Sequence, residues 1–378
     1  MRALLCGFVL SLSAPALAQN CPTRPSWPTD DWPVQLVDPV VKAAQLKALE
    51  DYAFTLEGED SARKGYRTDG LVIIKGGNVI YERYGRGFTA SNRHLSWSMA
   101  KSVSSALIGV AVQQGALKLA DSICDYLRGF SGTSVCGITV KHVITFATGF
   151  AWQEEYEGAP QGYQVSSVIA MLYGEGRRDQ LRFVLSHRAA TAPGGQWLYS
   201  TGDAHVAAAV AKGALDRKVG KGAFWKLLVE KIGMKRVVFE EDAKGTPLGG
   251  SMVYATPRDY AKFGWLFLND GCWDGQRVLP ESWVADSTTP SEAFVQHATK
   301  ADEEPSGYAW WLNRPVPEHD APSPWPDAPV DTYAALGHWG QRIVVVPSED
   351  VVIVRTGDDR EGSLPVNELT HLCLEVAR

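Results

Sequence analysis

The sequence predicts an α+β fold: an antiparallel sheet flanked by terminal helices, with a mainly helical lobe inserted between the two halves of the sheet. Three observations predict it. β-Branched hairpin patterns lie near both ends of the chain, a helical spacing lies outside each of them, and the long middle is Ala/Leu-rich with helical spacing broken by glycine. The expected division places residues 19–95 and 250–378 in the sheet lobe and 96–249 in the helical lobe.

The elements follow in chain order. Met1-Arg2, an apolar run from Ala3 to Leu12, and Ala16-Leu17-Ala18 have the pattern of a secretory signal peptide over residues 1–18, with export to the periplasm or medium as the expected consequence. Leu46, Leu49 and Ala53 mark one face of a helix. "GLVIIKGGNVIYERYG" reads as two strands joined at Gly76-Gly77-Asn78. Val103, Leu107 and Val110 recur at helical spacing up to Gly115, and Asp259 to Gly271 repeats that pattern with a terminal glycine. "RIVVVPSEDVVIVRTG" supplies two more strands around Pro347 to Asp350, and Val366, Leu369, Leu372 and Val376 predict a closing helix.

Composition narrows the function. The formal net charge is −6 with no basic run, which argues against nucleic acid and anionic membranes as partners. No segment after the leader is long and apolar enough to insert in a membrane. Cys124 and Cys136 flank a Gly/Ser-rich loop and are the first-choice disulfide in an exported chain, whereas the pairing among Cys21, Cys272 and Cys373 stays open. No cysteine or histidine shows metal-ligand spacing, so neither metal nor cofactor is expected.

The chemistry is expected at "HLSWSMAKSV". Ser98 and Lys101 are three residues apart at the start of an apolar helix, and residues at i and i+3 share a face about 5–6 Å apart. A serine hydroxyl becomes a nucleophile when a base takes its proton and a donor pair stabilises the resulting oxyanion. Burial lowers a lysine pKa, and the helix start contributes unpaired N–H groups. A second match, Ser61-Ala62-Arg63-Lys64, lies in a polar run with no apolar helix behind it and reads as solvated surface.

Two later segments complete the pattern. "APGGQWLYSTGDAHV" carries Tyr199-Ser200-Thr201, and "ALGHWGQRIVVV" carries His338-Trp339-Gly340 at the entry to a strand. Ser-x-x-Lys, Tyr-Ser-x and His-x-Gly in that order resemble the β-lactamase and penicillin-binding-protein superfamily of serine hydrolases. "SWSMAKS", "GGSMVYATPRDYAKFGWLFLNDG", "WDGQRVLPESWV" and "GHWGQ" are most similar to its branch of class C β-lactamase-like esterases and 6-aminohexanoate-dimer hydrolases. That resemblance implies acylation of Ser98, with Lys101 and a phenolate-like Tyr199 as the base system. It also implies an oxyanion hole of the Ser98 and Gln341 backbone N–H groups, and substrate contacts from His338, Trp339, Gly340 and Thr201.

Two departures from the family pattern shape the expected substrate. Thr201 stands where asparagine is common, and His338-Trp339-Gly340 replaces Lys-Thr-Gly, which removes a fixed positive charge for the carboxylate of a β-lactam. An ester or short amide is therefore expected, with a β-lactamase or D-alanyl-D-alanine carboxypeptidase as one alternative and a non-catalytic binding or sensor module as another. The aromatic-rich stretch from Phe150 to Tyr163 adds Trp152 and Tyr156 as substrate contacts, while Glu154 and Glu155 read as a solvated face, with the amino group of an oligoamide as the alternative contact. Trp310 and Trp311 suit the core or a pocket wall equally.

Overall fold

The computed structural model describes residues 21–156, 166–298 and 304–378. The expected leader and Tyr163 lie outside the described residues. Helix α1 (Ala43–Phe54) precedes the hairpin of β1 (Thr68–Lys75) and β2 (Asn78–Tyr84). Its turn places Gly76 and Gly77 at φ +57° and +85°, the backbone sense that matches the twist of the paired strands. A short strand, β3 (His94–Leu95), leads into α2 (Met99–Gln113).

The middle of the chain is helical: α3 (Val140–Ile144), α4 (Ser167–Leu172), α5 (Gln180–Leu185) and the long α6 (Thr201–Lys218). Strand β5 (Val253–Ala255) pairs with both β3 and β4 (Val238–Phe239) in a small antiparallel sheet. Then come α7 (Pro257–Leu268), a hairpin of β6 (Cys272–Trp273) and β7 (Gln276–Arg277), and the short helices α8 (Trp283–Ser287) and α9 (Glu292–His297). Strands β8 (Trp311–Leu312), β9 (Tyr333–Gly337), β10 (Gln341–Val346) and β11 (Val351–Gly357) return to the main sheet before α10 (Val366–Ala377).

The main sheet has six strands in the order β2-β1-β11-β10-β9-β8, and every pair is antiparallel. Both ends of the chain therefore meet at its centre, where β1 lies beside β11. Its strands are near-continuous apolar runs because both faces are covered. Leu71, Ile73, Val344, Val346, Val351 and Ile353 pack with residues of α1 and α10, whereas Val72, Ile74, Ile343, Val345, Val352 and Val354 pack with α2 and α7. The terminal helices thus sit on one face and helix α2 approaches the other, with α6 and α3 beyond it in the same core.

Cys124 bonds Cys136, as expected, and Cys21 bonds Cys272, leaving Cys373 as a buried free thiol. The second bridge ties the start of the described chain to β6 across 251 residues of sequence. Among the described residues no helix is long and apolar enough to cross a membrane.

Candidate active site

Ser98 sits at the start of α2, and the residue before it, Trp97, adopts φ +45°. A bulky residue in the left-handed region is strained and needs its surroundings to hold it there. Here the segment is tied down on the side of β5. Ser96 N–H donates to the Val253 carbonyl at 2.7 Å, the Val253 N–H donates to Ser96 Oγ at 3.2 Å, and Ser96 Oγ reaches the Ser251 carbonyl at 3.1 Å. The following helix is buried from Met99 to Ala111, so Lys101 projects into a closed interior rather than into water.

Lys101 is 2% exposed. Its ammonium nitrogen lies 2.8 Å from Ser98 Oγ, 2.7 Å from Thr201 Oγ1 and 3.1 Å from the Gly250 carbonyl oxygen. Burial lowers its pKa to about 8, against the opposing pull of the Glu154 carboxylate at 3.7 Å. The amine also sits 4.6 Å from the centre of the Tyr199 ring. Gly250 has to be a glycine for this approach, since a Cβ there would lie 2.5 Å from Thr201 Cγ2.

The structure brings Tyr199 to Ser98 but does not support its phenolate-like form. Burial, joined by the Glu154 charge, pushes the phenol well above its usual range, and the hydrogen bond to Ser98 offsets only part of this. Lys101 cannot reverse that balance while its own ammonium is disfavoured by the same burial. Burial therefore favours the protonated phenol.

Thr201 also departs from expectation. It is fully buried, and its hydroxyl bonds Lys101 and Glu154 instead of facing substrate. The cause is chain direction: Thr201 is the first residue of α6, so its side chain turns toward α2 across the helix contact. Gly340 is likewise buried, at φ +85°, and a Cβ on it would run into the buried Arg355–Asp359 ion pair. Its place is set by that support under the strand rather than by an open crevice.

Glu154 is the largest correction. It reads as solvated in the sequence, yet its side chain is 11% exposed. Its carboxylate accepts from Trp152 Nε1 at 2.6 Å, Thr201 N–H at 2.9 Å, Tyr156 OH at 3.2 Å and the Thr201 hydroxyl. Two adjacent glutamates in a polar, glycine-broken stretch carry no period that separates an inward one from an outward one. Glu155, its neighbour, is exposed. Trp152, expected at the substrate, is 5% exposed and approaches the site through its N–H on Glu154.

The mouth of the site is aromatic. The Tyr156 ring stacks on His338 at 5.0 Å between centres, and Trp97 meets His338, Trp339 and Tyr156 edge-on at 5.4, 5.0 and 6.2 Å. The Arg360 guanidinium lies 3.1 Å from the centre of the Trp339 ring, and Trp311 packs 5.2 Å from the Tyr199 ring. Trp310 belongs to the core. Trp97 and Arg360 escaped the sequence reading because neither has a motif of its own, although Trp97 directly precedes Ser98.

Strand β9 closes the site from the sheet side. Gln341 starts β10 with its side chain clamped, Nε2 donating to the Gly357 carbonyl at 2.6 Å and to His338 O at 3.1 Å, while Gly357 N–H donates to its Oε1 at 3.0 Å. A Cβ on Gly337 would collide with the Ser96 carbonyl oxygen, so this glycine permits the close approach of the strand to the segment that leads into Ser98. Gly337→Ala is expected to push the two apart and to lower turnover by about 10²-fold, with a melting temperature reduced by the strain. Steady-state kinetics and a thermal melt check both.

Known proteins share the fold. The Beta-lactamase family model matches residues 53–367. The 6-aminohexanoate-dimer hydrolase of Paenarthrobacter ureafaciens is 23% identical over 288 residues, covering 71% of this chain and 73% of that protein. A Bacillus anthracis structure that carries the 6-aminohexanoate-dimer hydrolase name superposes with a TM-score of 0.70 at 18% identity, over 95% of this chain and 90% of that one. EstCE1, a hydrolase with promiscuous acyltransferase activity, superposes at 0.65 with 14% identity over 90% of this chain and 100% of its own. A class C beta-lactamase does so at 0.60 with 14% identity, over 90% and 98%. The structures share the fold, and the match over most of the sequence makes this chain a member of the beta-lactamase family of hydrolases.

Proposed function

We propose that the protein is an exported serine hydrolase that cleaves an ester or a short linear amide through an acyl-enzyme on Ser98. The observation that carries this reading is the 2.8 Å contact between Ser98 Oγ and a lysine amine that burial holds near pKa 8. A buried amine of that pKa is neutral often enough near neutral pH to take a proton from serine. A second support is the aromatic mouth formed by Trp97, Tyr156, His338 and Trp339, which suits an uncharged acyl chain.

The steps balance as follows. Ser98 Oγ attacks the substrate carbonyl as its proton passes to Lys101 Nζ, and the oxyanion is held by the backbone N–H groups of Ser98 and Gln341. Collapse expels the alcohol or amine, which takes the phenolic proton of Tyr199. The Lys101 ammonium, beside the Tyr199 ring, restores that proton. Water then attacks the acyl ester by the same relay in reverse, which releases the acid and frees Ser98.

The pH dependence follows from the lysine. Below about pH 8 Lys101 is mainly ammonium and cannot accept the serine proton, so kcat/KM is expected to rise with pH through a midpoint near 8. Turnover measured from pH 5 to 10 on simple esters, a linear 6-aminohexanoate dimer and nitrocefin tests both the midpoint and the substrate class. Ester or linear-amide cleavage should exceed nitrocefin cleavage, because His338 replaces the fixed cation that a β-lactam carboxylate needs. Nitrocefin cleavage at the rate of the best ester contradicts the reading.

A further inference from the structure

Nothing in the acyl-transfer reading requires a carboxylate in the site, yet one is built into it. Glu154 reaches Lys101 from outside both catalytic helices and is held there by four donors from three residues: Trp152 Nε1, the Thr201 N–H and hydroxyl, and Tyr156 OH. A carboxylate so fully partnered has no lone pair to spare for a substrate amine, so the four bonds serve to aim it. What it faces is the Lys101 amine, at 3.7 Å, with the Thr201 hydroxyl in contact with both.

Resting on the acyl-enzyme reading, we infer that Glu154 is a positioning residue that, with the Thr201 hydroxyl, locates Lys101 and sets the proton affinity of the catalytic amine. Two roles that a single carboxamide at position 201 would combine are here divided. Thr201 supplies the short hydrogen bond, and Glu154 supplies the polar partner behind it together with a negative charge.

Among the described residues, the other groups around the amine leave that charge unrivalled. Tyr199 and Tyr156 have phenols pushed far up by burial, and Asp203, buried at the start of α6, is raised to about 8. His205, one turn into α6, is lowered to about 3 by burial and is therefore neutral at pH 7. Gly250 contributes a carbonyl dipole, and His338 stands beyond Tyr156. Glu154 is thus the opposite charge that acts on Lys101 against its desolvation. Without it, the amine would lose its proton at lower pH.

The test follows Ser98 acylation alone, as the second-order rate of labelling by a fluorophosphonate from pH 5 to 10. Wild type should show a midpoint near 8. Glu154→Gln should move the midpoint down by about one pH unit or more, so that at pH 7 it reaches about half of its own plateau or more, where wild type reaches about a tenth. Its plateau rate should fall, since the amine is less firmly placed. Glu154→Asp keeps the charge and should stay within about 0.3 unit of the wild-type midpoint while also losing rate. If Glu154→Gln does not fold, as judged by circular dichroism, Glu154→Ala takes its place and should shift the midpoint in the same direction. A rate lowered uniformly with the midpoint unmoved in the uncharged variant, or an equal shift in Glu154→Asp, overturns the inference. Neither result touches the nucleophile: failure of the acyl-enzyme reading itself would show as labelling that survives Ser98→Ala.

Discussion

Ser98→Ala is expected to fold normally and to lose ester hydrolysis by about 10³-fold or more, with fluorophosphonate labelling abolished. The size of the effect follows from the division of labour at the site. Both acylation and deacylation pass through Ser98 Oγ: it forms the new bond, it gives up the first proton, and it is the atom that water must later release. Neighbouring hydroxyls do not replace it. Thr201 Oγ1 is buried against Lys101 and Glu154, and Ser102 Oγ donates to the Ala309 carbonyl at 2.6 Å. The folded state should barely change, because Ser98 makes no side-chain cap for α2 and is partly exposed. Turnover measured beside a thermal melt separates the two effects, and retained hydrolysis in a folded Ser98→Ala protein contradicts the mechanism.

Lys101→Met should be equally damaging to activity, again by about 10³-fold, but its effect on stability should run the other way. Lysine is held near pKa 8 in the fold and has an ordinary value of 10.5. Between those values the unfolded chain binds more protons than the folded one, so stability rises with pH across that window. Below about pH 8 the burial of the ammonium costs the fold its full penalty, on the order of 3 kcal/mol. Methionine has nearly the same length and no charge, and its removal of the amine does not strand Glu154, which keeps the donors of Trp152, Thr201 and Tyr156. At pH 7 the variant is therefore expected to melt at or above the wild-type temperature while being nearly inactive. Calorimetry at pH 7 and at pH 10 checks the sign, because the advantage of methionine should shrink at the higher pH.

Much of this architecture was legible in the sequence, for physical reasons that differ from place to place. The central strands announce themselves because "LVII", "IVVV" and "VVIV" are buried on both faces, and the turn between β1 and β2 needs two left-handed residues that only Gly76-Gly77 supplies without strain. The Ser98–Lys101 contact is equally local, being fixed by one helical turn. The sequence says far less about which polar groups across the lobes face the amine. Glu154 resembles a solvated residue until the fold brings it against Thr201, and Thr201 resembles a substrate contact until the start of α6 turns it inward. The protonation of Tyr199 is hard to read from the sequence for a related reason. A nearby lysine suggests a phenolate, but burial acts on both groups at once and disfavours both charged forms.

A trapped intermediate tests the central claim most directly. The protein, mixed with a slowly released p-nitrophenyl ester, quenched in acid and digested, should yield one acylated peptide in the mass spectrum, with the added mass on Ser98. Pre-treatment with a fluorophosphonate should prevent its appearance. An acyl group found on another residue, or rapid hydrolysis with no covalent adduct at any time after mixing, would contradict the account.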